Sequence, residues 1–581
     1  MAQTSADQMV GVLAAAGVKR VYGVVGDSLS GFTDAIRRRE GIEWLHVRHE
    51  EVAAFAAGAD AHVTGGLAVE VAAPGNLHLI NGLFDCQRTR VPVVAIAAQI
   101  PSPEVGSHYF QETHPDRLFQ ECSSYCELVS SPEQMPRVLE IAVRRSILER
   151  RVSVVIVPGD VALKPAVPAP SPKLAGLAPA APTIAPSDQS LEELARFLNL
   201  AERVTLLCGS GSGCAGAHAE LMQFAEAVKE PIVHALGGKD HVEWENPYDV
   251  GMTGLVGFSS GYNPMESCDA LLMLGTDLPY RPFYPTEARV AQVDIRPQAI
   301  GRRVHIDLGI VGQVGPTLRA HAPHQGQERP ASSGQSAHAL RQRPQEPRRP
   351  RDRPTGGLLH PQHIVRVINK KAADDAIFTP DVGLPIVWTA RYLTMNGKRR
   401  LIASYWHGST ANAMPQAIGA QAASPGRQVI SLSGDGGFTM LMGDLLSLTQ
   451  LKLPVKVFVF NNGLLGFVAL EQKSTGFLPI GTDLVNPNFA QMAEAIGIKG
   501  IRIEDPKDVD AGVAEALAHP GPVVVDAVVA PAELAMPPAV TVEMAKGFTL
   551  YMLKAILSGR GDEIIELART NYTGSARRGA A

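Results

Sequence analysis

The stretch SGDGGFTMLMGDLLSLTQLKLPVKVFVFNNG, residues 433–463, sets one acidic side chain, Asp435, among glycines at the head of an apolar segment. It closes the next apolar run with a pair of amides, Asn461 and Asn462. Asp435 follows the run QVISLS, which predicts a buried strand with the carboxylate at its carboxyl end, where open α/β sheets bind ligands. Asn462 lies 27 positions further on, after a helix and a second buried strand, so a βαβ crossover returns it to the same sheet edge. Gly434, Gly436 and Gly437 remove the Cβ atoms that would keep a phosphate from the backbone amides. One carboxylate and one amide carbonyl make a hard, oxygen-only and incomplete ligand set. That set suits Mg2+ holding a diphosphate, because Mg2+ takes its remaining ligands from phosphate and water. Either half alone reads as an ordinary turn; the ordered pair at two strand ends points to the metal–diphosphate site.

Outward from this stretch, the same alternation of helix and short buried strand recurs in three blocks. Residues 1 to about 165 carry QMVGVLAAAG, VYGVVG, EEVAAFAAGADAHV, VPVVAIAA and VSVVIVPGDVA. The second block runs from VTLLCGSG to about residue 320, with strands expected at PIVHAL, ALLMLG and VAQVDI; the third runs from HPQHIVRVIN to VVVDAVVA. Short strands separated by helices predict parallel, doubly wound sheets, so the fold class is α/β with three tandem domains. A chain of 581 residues is long enough for about three or four such units. Two stretches interrupt the pattern. Residues 166–188 are rich in Pro and Ala and predict a linker without regular structure, and residues 321–354, crowded with Pro, Arg, Gln and His, predict a solvated irregular linker.

With 45% hydrophobic residues, 19% charged residues and a net charge of −5, the composition is that of a globular chain with no electrostatic reason to bind nucleic acid. Six cysteines without a CxxC pair or zinc spacing predict free thiols in a reducing cytoplasm. The N-terminal residues lack a signal-peptide pattern, and no apolar run approaches the roughly 20 residues of a spanning helix, which predicts neither export nor a transmembrane segment.

Gly-Asp-Gly followed one βαβ unit later by Asn-Asn resembles the signature of the thiamine-diphosphate enzymes. RHEEVAAFAAGA, PGNLHLINGLFD, YFQETHP, CELVSSPEQ, PYDVGMTGLVGFSSG, HGSTANAMPQA and AKGFTLYML extend that resemblance to the bacterial pyruvate dehydrogenase (quinone), or pyruvate oxidase, family. The resemblance implies a pyrimidine-binding domain at 1–182, an FAD domain at 183–335, a diphosphate and Mg2+ domain at 336–530, and a membrane-surface tail at 531–581. It implies that Glu50 hydrogen-bonds the coenzyme's aminopyrimidine and helps remove the thiazolium C2 proton; Glu51 reads as an ordinary first-turn helix residue. Asp435 and Asn462 would hold the metal. Gly408, Ser409 and Thr410, then Gly436 and Gly437, then Gly463, Leu464, Leu465, Gly466 and Phe467 would line the thiamine diphosphate, with Phe467 moving into the site on activation. For FAD the matching residues are Thr253, Gly254, Leu255 and Val256, then Thr276, Asp277, Leu278, Pro279 and Tyr280, and Asp294, whose carboxylate could accept from a ribose hydroxyl.

The implied reaction is oxidative decarboxylation of pyruvate to acetate and CO2, with electrons passing through FAD to membrane ubiquinone. The implied assembly is a homotetramer with each coenzyme between one subunit's first domain and another's third. The tail, TVEMAKGFTLYMLKAILSGRGDEIIELA, reads as one amphipathic helix with Met544, Phe548, Tyr551, Met552 and Ala555 on one face. In the resembled family such a tail covers the active site and swings onto phospholipid, which implies a cytoplasmic protein peripheral on the inner face of the bacterial cell membrane. Three departures stand out: Thr410 occupies a position where the family has Met, the approach to PGN is shortened to VEVAAPGN with Ala73 in place of Gly, and residues 321–354 stand where the family has a helical linker with ordinary hydrophobic spacing. The alternatives are carboligation of the acetolactate synthase type and a catalytically impaired cofactor-binding homologue.

Overall fold

The computed structural model describes residues 3–168, 170, 172–213, 217–321 and 358–572. Three six-stranded, all-parallel sheets form the chain's three α/β domains. The first contains β1 (Arg20–Gly23), β2 (Glu43–His46), β3 (Ala68–Ala72), β4 (Val93–Gln99), β5 (Tyr125–Leu128) and β6 (Val152–Pro158), in the order β2-β1-β3-β4-β6-β5. The second contains β7 (Val204–Cys208), β8 (Ile232–His234), β9 (Asp249–Met252), β10 (Ala270–Leu274), β11 (Arg289–Asp294) and β12 (Leu308–Val311), in the order β12-β11-β10-β7-β8-β9. In the third, β13 (Ile377–Pro380), β14 (Arg400–Leu401), β15 (Val429–Gly434), β16 (Lys456–Asn461), β17 (Lys499–Ile503) and β18 (Val523–Val528) repeat the order of the first, β14-β13-β15-β16-β18-β17.

The central strands are apolar throughout because helices cover both faces, as in VVAIAAQ of β4, every residue of which is buried. Those runs are legible in the sequence. The short outer strands β2, β5, β14 and β17 are not, because they are partly exposed and mixed in polarity.

Seven helices position the site: α1 (Glu50–Thr64), α2 (Leu79–Thr89), α3 (Ala413–Ala423), α4 (Asp435–Leu441), α5 (Gly466–Ser474), α6 (Val542–Leu557) and α7 (Gly561–Tyr572). The first and third domains share one core, in which Ala53, Ala56 and Ala57 of α1 meet Ala417, Ile418 and Ala420 of α3. The alanine-rich sequence of α1 is what lets the backbones close together: a Cβ at Gly419 would lie 1.9 Å from the Ala56 carbonyl oxygen.

Two expectations are corrected. The Pro/Ala-rich linker contains a helical turn, Leu174–Leu177, because Leu177 is buried in the first domain's core. The tail is two helices rather than one, since Gly559 takes a left-handed φ of 76° and turns the chain between α6 and α7. The expected irregular segment 321–354 lies outside the described residues beyond His321. The five described cysteines, Cys86, Cys122, Cys126, Cys208 and Cys268, are free thiols. Among the described residues no helix is long and apolar enough to cross a membrane.

Candidate functional site

β15 ends at Gly434, α4 begins at Asp435, and β16 runs parallel beside it with Gly434 opposite Phe460. The acid and the two amides therefore emerge on one sheet edge. The backbone amides of Asn462 and Gly463 donate to Asp435 Oδ2 at 3.0 and 2.7 Å. A third donor to that oxygen, Asn486 Nδ2 at 2.8 Å, also reaches Asn461 Oδ1 at 3.0 Å. Sequence reasoning missed Asn486. It arrives because Leu465 N donates to the Thr482 carbonyl and Leu484 N to the Gly463 carbonyl, both at 2.8 Å, and an Asn before a Pro reads locally only as a turn.

The two neighbouring amides divide their work. Asn461 donates to Asp526 Oδ1 at 2.9 Å and is 9% exposed, so it ties strands together. Among the described residues, Asp435 Oδ1 accepts only from Gly436 N at 2.9 Å, and Asn462 Oδ1 only from Leu464 N at 3.1 Å, which leaves lone pairs on both oxygens. These hard oxygen donors, on a carboxylate and an adjacent amide, fit Mg2+ with a diphosphate completing its shell. Burial raises the Asp435 pKa against the lowering pull of its backbone donors from Gly463 and Gly436, a balance that a cation would tip toward the carboxylate.

Two glycines of the GDGG turn also meet close neighbours within the protein. A Cβ at Gly436 would lie 2.5 Å from the Leu465 side chain, and one at Gly437 would lie 1.9 Å from Asp381 Oδ2. Gly434 is under no such constraint, its Cβ position being 3.5 Å from Pro385. Asp381, after β13, is 1% exposed; its Oδ1 accepts from Val382 N at 3.1 Å, while among the described residues no group lies within hydrogen-bond geometry of Oδ2. Burial pushes its carboxyl up to about 7. Beside it, Ala411 holds φ at 70° while only 5% exposed, a left-handed conformation that costs a non-glycine residue about 1–3 kcal/mol.

The loop that precedes Ala411 contains Gly408, Ser409 and Thr410, and it is held from the first domain. Asn81 of α2 donates through Nδ2 to Ser409 Oγ at 2.8 Å, and its Oδ1 contacts His407 Nε2 at 2.8 Å. The same Nδ2 donates to Glu51 Oε1 at 2.6 Å. Glu51 is thus more than the ordinary first-turn residue expected, because it anchors a bridge across two domains. Glu50 points elsewhere: its Oε2 lies 3.0 Å from His78 Nδ1, and His78 stacks on His49 with ring centroids 4.6 Å apart. Thr410, half-buried, accepts at its carbonyl from Ser409 Oγ at 3.2 Å. Gly463, Leu464 and Leu465 form the turn beside Asp435, and Gly466 and Phe467 open α5, with Phe467 packed against the third domain's core.

The second-domain residues also gather at strand ends. Thr253, 1% exposed, has a hydroxyl without a partner among the described residues; Gly254 follows with φ 92°, and the Val256 carbonyl accepts from Arg391 Nε of the third domain at 3.1 Å. Leu255 lies between them. Thr276, Asp277 and Leu278 are buried, whereas Pro279 and Tyr280 are exposed. The glycine-rich loop after β7 meets them: a Cβ at Gly209 would lie 2.6 Å from the Gly275 carbonyl oxygen. Two acids have partners that sequence reasoning missed. Asp294 accepts from Arg296 N at 2.9 Å and from Arg296 Nε at 3.1 Å, and Asp277 is paired with Arg302 and Arg303 at 3.2 and 2.7 Å. The orphaned Thr253 hydroxyl and the narrow glycine-lined floor fit a dinucleotide laid across the strand ends, while the Asp294 oxygens are largely taken.

The shortened stretch before PGN is the buried strand β3 itself, and Glu70 at its centre is 0% exposed with no partner for either oxygen among the described residues. The tail docks on α5. Lys554 Nζ donates to the Gly476 carbonyl at 2.8 Å, and Tyr551, fully buried, reaches Glu563 of α7 at 3.0 Å. Tyr551 and Ala555 face inward, while Leu550, Leu553, Ile556 and Leu557 are 46–86% exposed.

Three family descriptions match in chain order: the thiamine pyrophosphate enzyme N-terminal TPP-binding domain over residues 3–118, the central domain over 191–321, and the C-terminal TPP-binding domain over 381–527. YdaP of Bacillus subtilis (strain 168) is 34% identical over 578 residues, covering 98% of this chain and 99% of its own. The pyruvate oxidase of Lactiplantibacillus plantarum is 30% identical across 90% of this chain and 88% of its own. The acetolactate synthase isozyme 2 large subunit of Escherichia coli (strain K12) is likewise 30% identical, across 89% of this chain and 94% of its own. With its three domains matched in order and a relative covering nearly its whole length, the chain belongs to the thiamine pyrophosphate enzyme family.

Proposed function

We propose that this protein oxidatively decarboxylates pyruvate to acetate and CO2 and delivers the electrons through FAD to ubiquinone at a phospholipid surface. The balance is pyruvate plus water plus quinone giving acetate, CO2 and quinol. Thiamine diphosphate supplies the carbon nucleophile and electron sink for decarboxylation, and FAD a two-electron acceptor. Asp435 Oδ1 and Asn462 Oδ1 would hold Mg2+ on the diphosphate, with Asn486 fixing the carboxylate. Glu50 would act on the coenzyme's aminopyrimidine, and its partial exposure in the single chain suits a carboxylate completed by another subunit, as in the proposed homotetramer. Gly408, Ser409 and Thr410, anchored through Asn81, would position the coenzyme ring. Thr253 to Val256, Thr276 to Tyr280 and Asp294 would line the flavin. The division 1–182, 183–335, 336–530 and 531–581 is retained as pyrimidine, FAD, diphosphate and tail segments.

The observation that favours oxidation is the tail. α6 rests on α5, the helix that Gly466 and Phe467 open beside the candidate coenzyme loop, and leaves Leu553, Ile556 and Leu557 exposed. An interfacial helix has this form, and it would place the protein peripherally on the inner membrane face. Carboligation of the acetolactate synthase type is the second reading, favoured by the comparable identity to those relatives. The test feeds pyruvate to the purified holoenzyme with a ubiquinone analogue and phosphatidylglycerol vesicles. Acetate and quinol in equal amounts, formed faster with vesicles, are expected; acetolactate as the sole product would overturn the proposal.

A further inference from the structure

His49, Glu50 and His78 each offer one ligand atom, and the three atoms lie within 4.8 Å of one another. The grouping is built by the fold: His49 caps α1, Glu50 opens it, and His78 comes from the turn that precedes α2. The His78 ring lies over the His49 ring with 18° between their planes. We propose that these three residues form a second cation site, separate from the Asp435–Asn462 pair, that takes a borderline transition-metal ion such as Zn2+ and withdraws Glu50 from catalysis when filled.

Two imidazoles and one carboxylate are the three-ligand set of open zinc sites, which leave a fourth position to water. Nitrogen ligands select Zn2+ and its neighbours over Mg2+, whose affinity is for oxygen. Around a tetrahedral ion with bonds of about 2.0–2.1 Å the ligand atoms stand roughly 3.4 Å apart. Imidazole lone pairs lie in the ring plane, so ligation turns the His78 ring, whose side chain is 60% exposed, out of its stack on His49. The cost falls on His49, whose Nδ1 now accepts from Glu51 N at 3.2 Å; ligation exchanges that long bond for a metal bond. The inhibitory half of the inference rests on the reading of Glu50 proposed above; the binding half does not.

The test uses full-length protein in excess Mg2+, titrated with Co2+ and followed by visible d–d absorption. Binding of one Co2+ per chain, displaced by Zn2+ and weakened at least tenfold in both His78→Ala and His49→Gln, is expected. Unchanged Co2+ affinity in both variants would overturn the site. In parallel, micromolar Zn2+ is expected to inhibit pyruvate turnover by the holoenzyme at least tenfold, reversibly with a zinc-selective chelator. Metal bound at the trio without loss of turnover would leave the cation site standing and overturn the inhibitory role assigned through Glu50.

Discussion

At the scale of single residues, two buried acids carry distinct consequences. Glu70 sits in the middle of β3 with both oxygens unpartnered among the described residues, and burial holds its carboxyl well above the usual range. A buried polar group without a partner costs about 1–3 kcal/mol. Replacing it with Met, of similar volume, is therefore expected to raise stability by about that amount, seen as a higher midpoint in thermal unfolding; a lower midpoint would show that Glu70 has a partner the fold depends on. Asp381 bears on pH. Its folded-state pKa of about 7 lies above the ordinary 3.8, so between those values the native state binds more protons than the unfolded state. Its contribution to stability consequently falls as pH rises through that window. Denaturant midpoints measured from pH 4.5 to 7.5 should decline less steeply in Asp381→Asn than in the parent, whatever constant offset the substitution brings. Parallel lines for the two proteins would refute the assignment.

At the scale of elements, the tail depends on one close approach. A Cβ at Gly547 of α6 would stand 2.0 Å from the carbonyl oxygen of Ser474 at the end of α5. That is a backbone contact, which cannot yield as a flexible side chain would. Gly547→Val is expected to lift α6 off α5 while leaving the three sheets intact. Limited proteolysis of the 531–541 connection should accelerate several-fold with the remaining fragment unchanged in melting behaviour, and an unchanged cleavage rate would count against the docking. The element scale also shows where local reading stops. Of the expected inward face, Tyr551 and Ala555 are fully buried, whereas Met544, Phe548 and Met552 are half-buried. The break at Gly559 was missed because a lone glycine in an apolar repeat is tolerated in a helix as often as it ends one.

At the scale of the whole molecule, polar ties cross between domains. Asp85 of the first domain accepts from Ser404 Oγ at 2.7 Å and from Gln416 Nε2 at 3.2 Å in the third; Asp240 of the second accepts from Arg400 Nε at 3.0 Å. Such ties pack the three domains together, and the Glu50 side chain stays 16% exposed. If the proposed site joins Glu50 of one subunit to Asp435 of another, Glu50→Gln and Asp435→Ala proteins, each nearly inactive alone, should complement on subunit exchange. Random mixing would restore about a quarter of parental activity, since half the pairs are mixed and each mixed pair has one intact site. No recovery in exchanged samples would place both groups in one chain's site and defeat the inter-subunit arrangement.

The amino-acid sequence by itself determined the three α/β units, the long buried strands and the meeting of Asp435 with the 461–462 amides. Each of these follows from a local repeat or from one crossover of regular length. Only the tertiary structure decided that Asn486 donates to Asp435, that Asp381 and Leu465 crowd Gly437 and Gly436, and that Glu51 acts through Asn81 on Ser409. The Asn81–Ser409 bond joins residues 328 positions apart, and no periodicity or turn signal in a chain encodes which distant polar side chains will be brought within 3 Å of each other once its helices pack.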